Sequence, residues 1–281
     1  MLQIAKHLYH KVYPLLQTNK GNCPSFAYSV VDNYIDGMVF VDQVEEPKTL
    51  MIGTDSGIYY IMGDKNNQEF QDFFESHYTK IKEDKHATFV IFSPTEEWDT
   101  VLAHMFGDDC NQMGRLSYAF RSFNSEVYNY TDLYAELPEG YQVQRISKET
   151  ISKNPFFHEK YYTRFWGSTE QYLKYGFGYS VFFEGQIVCE GTSIFSGRHV
   201  AEIDIETHEN HRGLGLAQLV AHLFIKHCLI HQLTPFWDCD AENIGSKKLA
   251  KKTGFDDPTP YSIFVKRKDS TVEMGCQNDS Y

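Results

Sequence analysis

The sequence predicts a mixed α/β (α+β) chain, a central mixed sheet flanked by helices, preceded by an additional α/β unit. Three observations carry this expectation. Short β-branched or aromatic runs alternate with longer segments whose apolar residues recur at helical spacing. The polar, turn-rich stretch NSEVYNYTDLYAELPEGY separates two such series and sets a linker at 124–139. Finally, a strand-like run at 200–207 passes through Gly213 and Gly215 directly into an apolar-periodic helix. A length of 281 residues accommodates two ordinary domains, here 1–123 and 140–268, with a polar, flexible tail at 269–281.

The elements follow in order. Leu2, Ala5, Leu8, Val12, Leu15 and Leu16 share one helical face, and GNCPSF ends that first helix. GMVFV, TLMIGT and GIYYIM, between 37 and 62, read as a three-strand meander separated by EEPK and DSG. A helix at about 67–80 turns Phe70, Phe73, Phe74 and Tyr78 inward and precedes the strand ATFVIF. Ser93-Pro94-Thr95-Glu96 has the form of a capping box and starts a helix to about 106; LSYAFRSF at 116–123 closes the unit. In the second unit YQVQRI is a strand, 148–175 is helical and dense in aromatics, and YSVFFEGQIVCEGTSIF (179–195) folds back on itself at Glu184-Gly185-Gln186. Strand 200–207, a helix to about 231, strand TPFWDCD, a helix at 243–252 and the final strand YSIFVK complete it.

A net charge of −12 leaves no basic field to recruit nucleic acid or an anionic membrane, and favours cationic ligands. No apolar run approaches the roughly 20 residues a spanning helix needs. Six cysteines lie scattered without paired spacing, and the amino terminus lacks a signal-peptide core, so reduced thiols in the cytoplasm are expected. Composition leaves a homodimer open.

The glycine junction is the chemical signal. Arg212-Gly213-Leu214-Gly215-Leu216-Ala217 links a strand to a helix through residues small enough for a ligand to approach the backbone, where unpaired helix-start amides and the dipole favour an anion. A dinucleotide fingerprint would need glycine where Gln218 stands, and a Walker loop needs Gly-Lys-Ser/Thr, which is missing. The remaining pattern, Arg/Gln-x-x-Gly-x-Gly/Ala, is met by Arg212, Gly215 and Ala217, and resembles the pyrophosphate loop of the GNAT superfamily of acyl-CoA-dependent N-acyltransferases. Downstream, Asn243-x-x-Ser246-x-x-Leu249-x-x-x-x-Gly254-Phe255 is similar to that superfamily's second signature, and the likeness spans about 140–267. The wording EIDIETHENHRGLGLA and PFWDCDAENIGSKKLAKKTGF further resembles a two-domain bacterial branch that includes the zwittermicin A resistance acetyltransferase. Acetyl-CoA as acyl donor and a small-molecule amine as acceptor are what this resemblance implies. It also implies a cofactor set comprising Ile205, Thr207, Arg212, Gly213, Leu214, Gly215, Leu216, Ala217, Asn243 and Ser246.

Acyl transfer from a thioester to an amine needs a deprotonated nucleophile, a polarised carbonyl and a protonated leaving sulfur. Alternation on strand 200–207 puts Glu202, Asp204 and Glu206 on one face. Repulsion and burial would raise one of them toward neutrality, as a general base requires; Glu202 is the first choice and Asp204 the second. The competing reading is a solvated acidic face that only attracts cations. Backbone amides near Ile205 to Thr207 are expected to meet the oxyanion. The resembling enzymes often place an acidic tyrosine where Ala250 stands here, which leaves Tyr261 as the candidate acid or a packing residue. Lys247, Lys248, Lys251 and Lys252 form a basic patch beside the expected cofactor. His227 and His231, one turn apart near Cys228, have metal-like spacing but no matched second pair, so no metal is expected. A non-catalytic acyl-CoA-binding module and a protein N-acetyltransferase remain the alternatives.

Overall fold

In the computed structural model, which describes residues 1–19, 23–121 and 137–267, twelve strands hydrogen-bond into one sheet. The first half supplies β1 (Leu2–Gln3), a 3-10 helix (Lys6–Val12), α1 (Tyr13–Gln17), α2 (Ser25–Val31), β2 (Gly37–Val41), β3 (Thr49–Thr54) and β4 (Ile58–Gly63). It continues with α3 (Gln68–Glu83), β5 (Val90–Phe92), α4 (Glu96–Phe106) and β6 (Cys110–Phe120). The second half supplies β7 (Tyr141–Arg145), α5 (Lys148–Lys153), α6 (Glu159–Trp166), α7 (Thr169–Tyr175), β8 (Gly178–Phe183) and β9 (Gln186–Ser196). It ends with β10 (Val200–Thr207), α8 (Leu216–Ile230), β11 (Thr234–Asp240), α9 (Ile244–Lys252) and β12 (Phe255–Lys266).

Across the sheet the order is β1-β2-β3-β4-β5-β12-β6-β11-β10-β9-β8-β7. Read inward from either edge, each half repeats the same sequence of strands: a run of antiparallel pairs and then one parallel pair, β4 with β5 and β10 with β11. The last strand of each half crosses over. Strand β12 pairs with β5, β6 pairs with β11, and β6 and β12 pair with each other from Phe255↔Phe120 to Lys266↔Cys110. Continuity of the sheet therefore depends on both halves. The expected linker falls largely, and the expected tail wholly, outside the described residues.

Local departures from the sequence reading have identifiable causes. The helix expected over 2–16 is instead a strand, a 3-10 helix and a short α-helix. Pro14 removes a backbone donor and sits in the first turn of α1, so one helix cannot run through it. GNCPSF does not simply break structure: Pro24 is the N-cap of α2, whose Phe26, Ala27, Val30 and Val31 are buried. Strands β6 and β12 begin six residues before the expected positions, because their mutual pairing stabilises segments too polar to read as strands. The capping box at 93–96 is half right; Thr95, rather than Ser93, caps α4 by accepting from the Trp98 amide. Helix α8 buries Leu216, Leu219, Val220, Leu223 and Phe224 against the sheet, and a Cβ at Gly191 would lie 2.4 Å from Val220 Cγ1, so glycine permits that approach. No helix among the described residues is long and apolar enough to cross a membrane.

Candidate active site

Strands β10 and β11 pair only over Val200–Glu202 and Thr234–Phe236. Beyond that point β11 is held by β6, from Trp237↔Tyr118 to Asp240↔Arg115, while β10 stays with β9 through a bulge between Glu202 and Ile203. The two strands part, and a cleft of about 930 Å³ opens between them. Its wall carries Glu202 to Thr207 from β10, Trp237 to Asp240 from β11, residues 211–213 and 215–218 of the junction, and the start of α9. Because the His208 amide bonds Val188 of β9, alternation turns the Ile205 and Thr207 amides away from β9, toward the cleft.

At the cleft mouth Gly213 and Gly215 hold φ of +80° and +81°. Any L side chain there would be strained, yet a Cβ on either glycine meets nothing within 4 Å, so the loop is open on its outer side. Gly215 is the N-cap of α8, and the first-turn amides of Leu216 and Ala217 have no intrahelical acceptor. Arg212 is anchored by its Nε on the Thr207 carbonyl (3.0 Å) and by an ion pair to Glu206 (3.2 Å). Leu214 is exposed and does not line the cleft. These features fit a diphosphate: converging backbone donors, a fixed positive end of a fifteen-residue helix, and room for the anion. On the opposite wall Asn243 caps α9 by accepting from the Ser246 amide (2.9 Å), and Ser246 Oγ accepts from the Trp237 indole (3.0 Å). Lys248 and Lys252 line the cleft, whereas Lys247 is tied to the Ala241 carbonyl.

The carboxylates on β10 have different surroundings. Glu202 is buried at the point where the strands separate and accepts a hydrogen bond from the Ser25 hydroxyl of α2. Burial, then the facing charge of Asp238, pushes its pKa well above the ordinary carboxylate range, against the opposing effects of Ser25 and Arg115. Asp204 accepts from Tyr161 of α6 (2.8 Å), and burial raises it to about 6. Glu206 ends on Arg212 and on the Thr207 amide (3.2 Å), so that amide meets a carboxylate rather than standing open. The three acids thus share a face but not a role.

Behind Glu202 lies a polar cluster. Arg115 of β6 is buried and contacts Asp238 at 2.5 Å, while the Tyr261 hydroxyl donates to the other oxygen of Asp238 (2.6 Å). Burial raises Asp238, with Arg115 and Tyr261 opposing. Tyr261 does not line the cleft; it lies behind the lining residue Asp238, to which its proton is directed, and its ring stacks on Phe92. Ala250 is fully buried. Of the aromatic-dense 148–175 stretch, Phe157, Tyr162, Phe165, Trp166 and Tyr172 are core, and Tyr161 reaches the acidic face. His227 stacks on Phe177 (3.9 Å) beside His231 (4.2 Å), with burial lowering its pKa to about 4. No group of three potential ligands gathers around a metal-sized space among the described residues.

Sequence reasoning passed over Ser25, Arg115 and Asp238. Asp238 carried a weak signal, since it alternates with Trp237 and Cys239 in TPFWDCD; nothing local marked the other two. The first half differs at the end of its own parallel pair that corresponds to the glycine junction. There the β4–α3 junction closes on itself: a Cβ at Gly63 would lie 2.1 Å from the Lys48 carbonyl, and the Trp98 indole donates to the Gly63 carbonyl (3.1 Å).

Comparison with known proteins agrees with this geometry. A family model described as GNAT acetyltransferase matches residues 14–264. An uncharacterised N-acetyltransferase of Bacillus subtilis (strain 168), YdfB, is 39% identical over 268 residues, covering 94% of this chain and 99% of that protein. The crystal structure of a GCN5-related N-acetyltransferase-like protein from Streptococcus suis 89/1591 shares the fold at a TM-score of 0.69 and 23% identity, covering 93% of this chain and 99% of the other. A tandem GNAT protein from the clavulanic acid biosynthesis pathway shares it at a TM-score of 0.56 and 10% identity, with 96% and 99% covered. With all of its described sheet except β1 and the last two residues of β12 inside the matched span, a cleft at the parting of β10 and β11, and a glycine loop at its mouth, this chain belongs to the GNAT acetyltransferase family and is an acyltransferase.

Proposed function

We propose that the chain transfers an acetyl group from acetyl-CoA to the amine of a small molecule, antibiotic-like or metabolic, by direct attack in a ternary complex. One observation carries this reading: Glu202, a buried carboxylate of raised proton affinity, stands where the strands part, on the wall that begins at the anion-binding loop. The amides of residues 213–217, with Arg212, would hold the diphosphate, and the wall of Asn243 and Ser246 would flank the pantetheine arm. Acetyl-CoA supplies a thioester whose acyl carbon accepts a nucleophile. Glu202 takes the proton from the acceptor ammonium, with Asp204 as second choice; a carboxylate with pKa near neutrality is matched to that task. The cleft-facing Ile205 and Thr207 amides stabilise the oxyanion once Asp204 and Glu206, which they now meet, yield. Tyr261 reaches the sulfur only after releasing Asp238, which favours a thiolate that leaves unassisted.

The acidic face of β10 supports a cationic acceptor. The repeated strand order supports reading residues 1–123 as a degenerate copy of 140–268, and the branch of zwittermicin A resistance rests on the sequence wording alone. Thiol release from acetyl-CoA over a panel of small cationic amines tests the proposal. Turnover with a subset of them is expected. Tight acetyl-CoA binding with no turnover of any small amine would overturn it, and labelling of lysate proteins in the same assay would move the acceptor to a protein.

A further inference from the structure

Helix α2 belongs to the first half of the chain, yet it is pinned to the β9–β10 hairpin of the second at both ends. At its start, Phe26 packs on Phe195 of β9 (5.8 Å) and on Phe92 of β5 (5.3 Å). At its end, Asp32 accepts from the Arg198 amide (2.7 Å), pairs with its guanidinium (3.1 Å) and receives the Tyr13 hydroxyl. At the first residue of the helix, next to the Phe26 anchor, Ser25 is fully buried and points its hydroxyl at Glu202 Oε2. The carboxylate is otherwise faced by Asp238 from β11, by Arg115 from β6 and by Asp204 on its own strand, with Tyr261 of β12 engaged on Asp238. Of these neighbours, two repel the anion and one, Arg115, is committed to Asp238.

We infer that Ser25 is a positioning residue for Glu202: its hydroxyl fixes one carboxylate oxygen, presents the other to the acceptor amine, and favours the ionised form that accepts the proton. The inference rests on the reading of Glu202 as the base. It gives the first half of the chain a part in the reaction, through a group 177 positions away in sequence. The physical reason is that a carboxylate removed from water is driven toward its neutral form unless a donor holds the charge.

The experiment compares wild type, Ser25→Ala, Ser25→Thr and Glu202→Gln in the pH dependence of kcat/KM, with acetyl-CoA affinity measured by calorimetry on each. A hydrogen bond to a charged group has the strength to move the acid limb of the Ser25→Ala profile upward by about one to two pH units, a tenfold to hundredfold loss below the limb. Acetyl-CoA affinity should stay at the wild-type value, and Ser25→Thr, which keeps the hydroxyl, should return the limb toward its original position. A Ser25→Ala limb that does not move, or a loss confined to acetyl-CoA affinity, overturns the inference. The two failures separate cleanly: full activity in Glu202→Gln removes the base itself, whereas an inactive Glu202→Gln beside an unshifted Ser25→Ala removes only the role of Ser25.

Discussion

Replacing Gly215 with aspartate separates two purposes the glycine junction could serve, a tight turn or an anion cradle. In the free protein the cost is backbone strain alone, because φ is +81° and a Cβ there meets nothing within 4 Å. A left-handed residue other than glycine costs roughly 1–2 kcal/mol, and aspartate tolerates that region better than most. The midpoint of thermal unfolding should therefore fall by only a few degrees, about 2–4 °C for each kcal/mol in a chain of this size. Binding should respond far more. A carboxylate about 4–5 Å from a phosphate charge, at an effective dielectric near 20, opposes it by roughly 3–4 kcal/mol, a hundredfold to thousandfold in affinity. Calorimetric titration with acetyl-CoA beside a thermal melt reads both quantities. A folded Gly215→Asp protein that retains wild-type affinity would refute the cradle and leave only the turn.

Two further outcomes follow from buried charges. Arg115→Met strands Asp238 in a site where both side chains are almost fully covered, so it should cost about 3–5 kcal/mol in denaturant unfolding, and a second change, Asp238→Asn, should recover much of the loss; equal stability of the single and double variants would contradict the pairing. Glu190 is fully buried, holds bonds from the Ser180 and Tyr162 hydroxyls, and is pushed by burial to about 7. Its folded proton affinity exceeds the unfolded one, so its contribution to stability is complete below the unfolded pKa and is lost as pH rises through about 7. Between about pH 5 and pH 8 the wild type should lose roughly 3 kcal/mol relative to Glu190→Gln, and parallel stability profiles would count against this.

The second half was legible because its signals are local. Gly213 and Gly215 must be glycine for their positive φ, β10 alternates apolar and acidic residues along one strand, and Asn243 announces the start of α9. Each is a constraint between near neighbours. What the sequence hid lies in contacts between distant segments: Ser25 with Glu202, Arg115 with Asp238, and the exchange of β6 and β12 between halves. A lone serine after proline, or an arginine in a polar strand, has no periodicity to betray a buried partner. Helix α2 was missed for a related reason, since its seven residues have too few turns for a helical pattern to emerge beside Gly21 and Pro24.

The most direct test is a crystal structure of the chain with acetyl-CoA bound. The account predicts the diphosphate on the amides of residues 213–217, the arm running between β10 and β11, and the acyl carbon facing Glu202 where those strands separate. Density for the cofactor anywhere else, or an acyl group turned away from the β10 carboxylates, would contradict it.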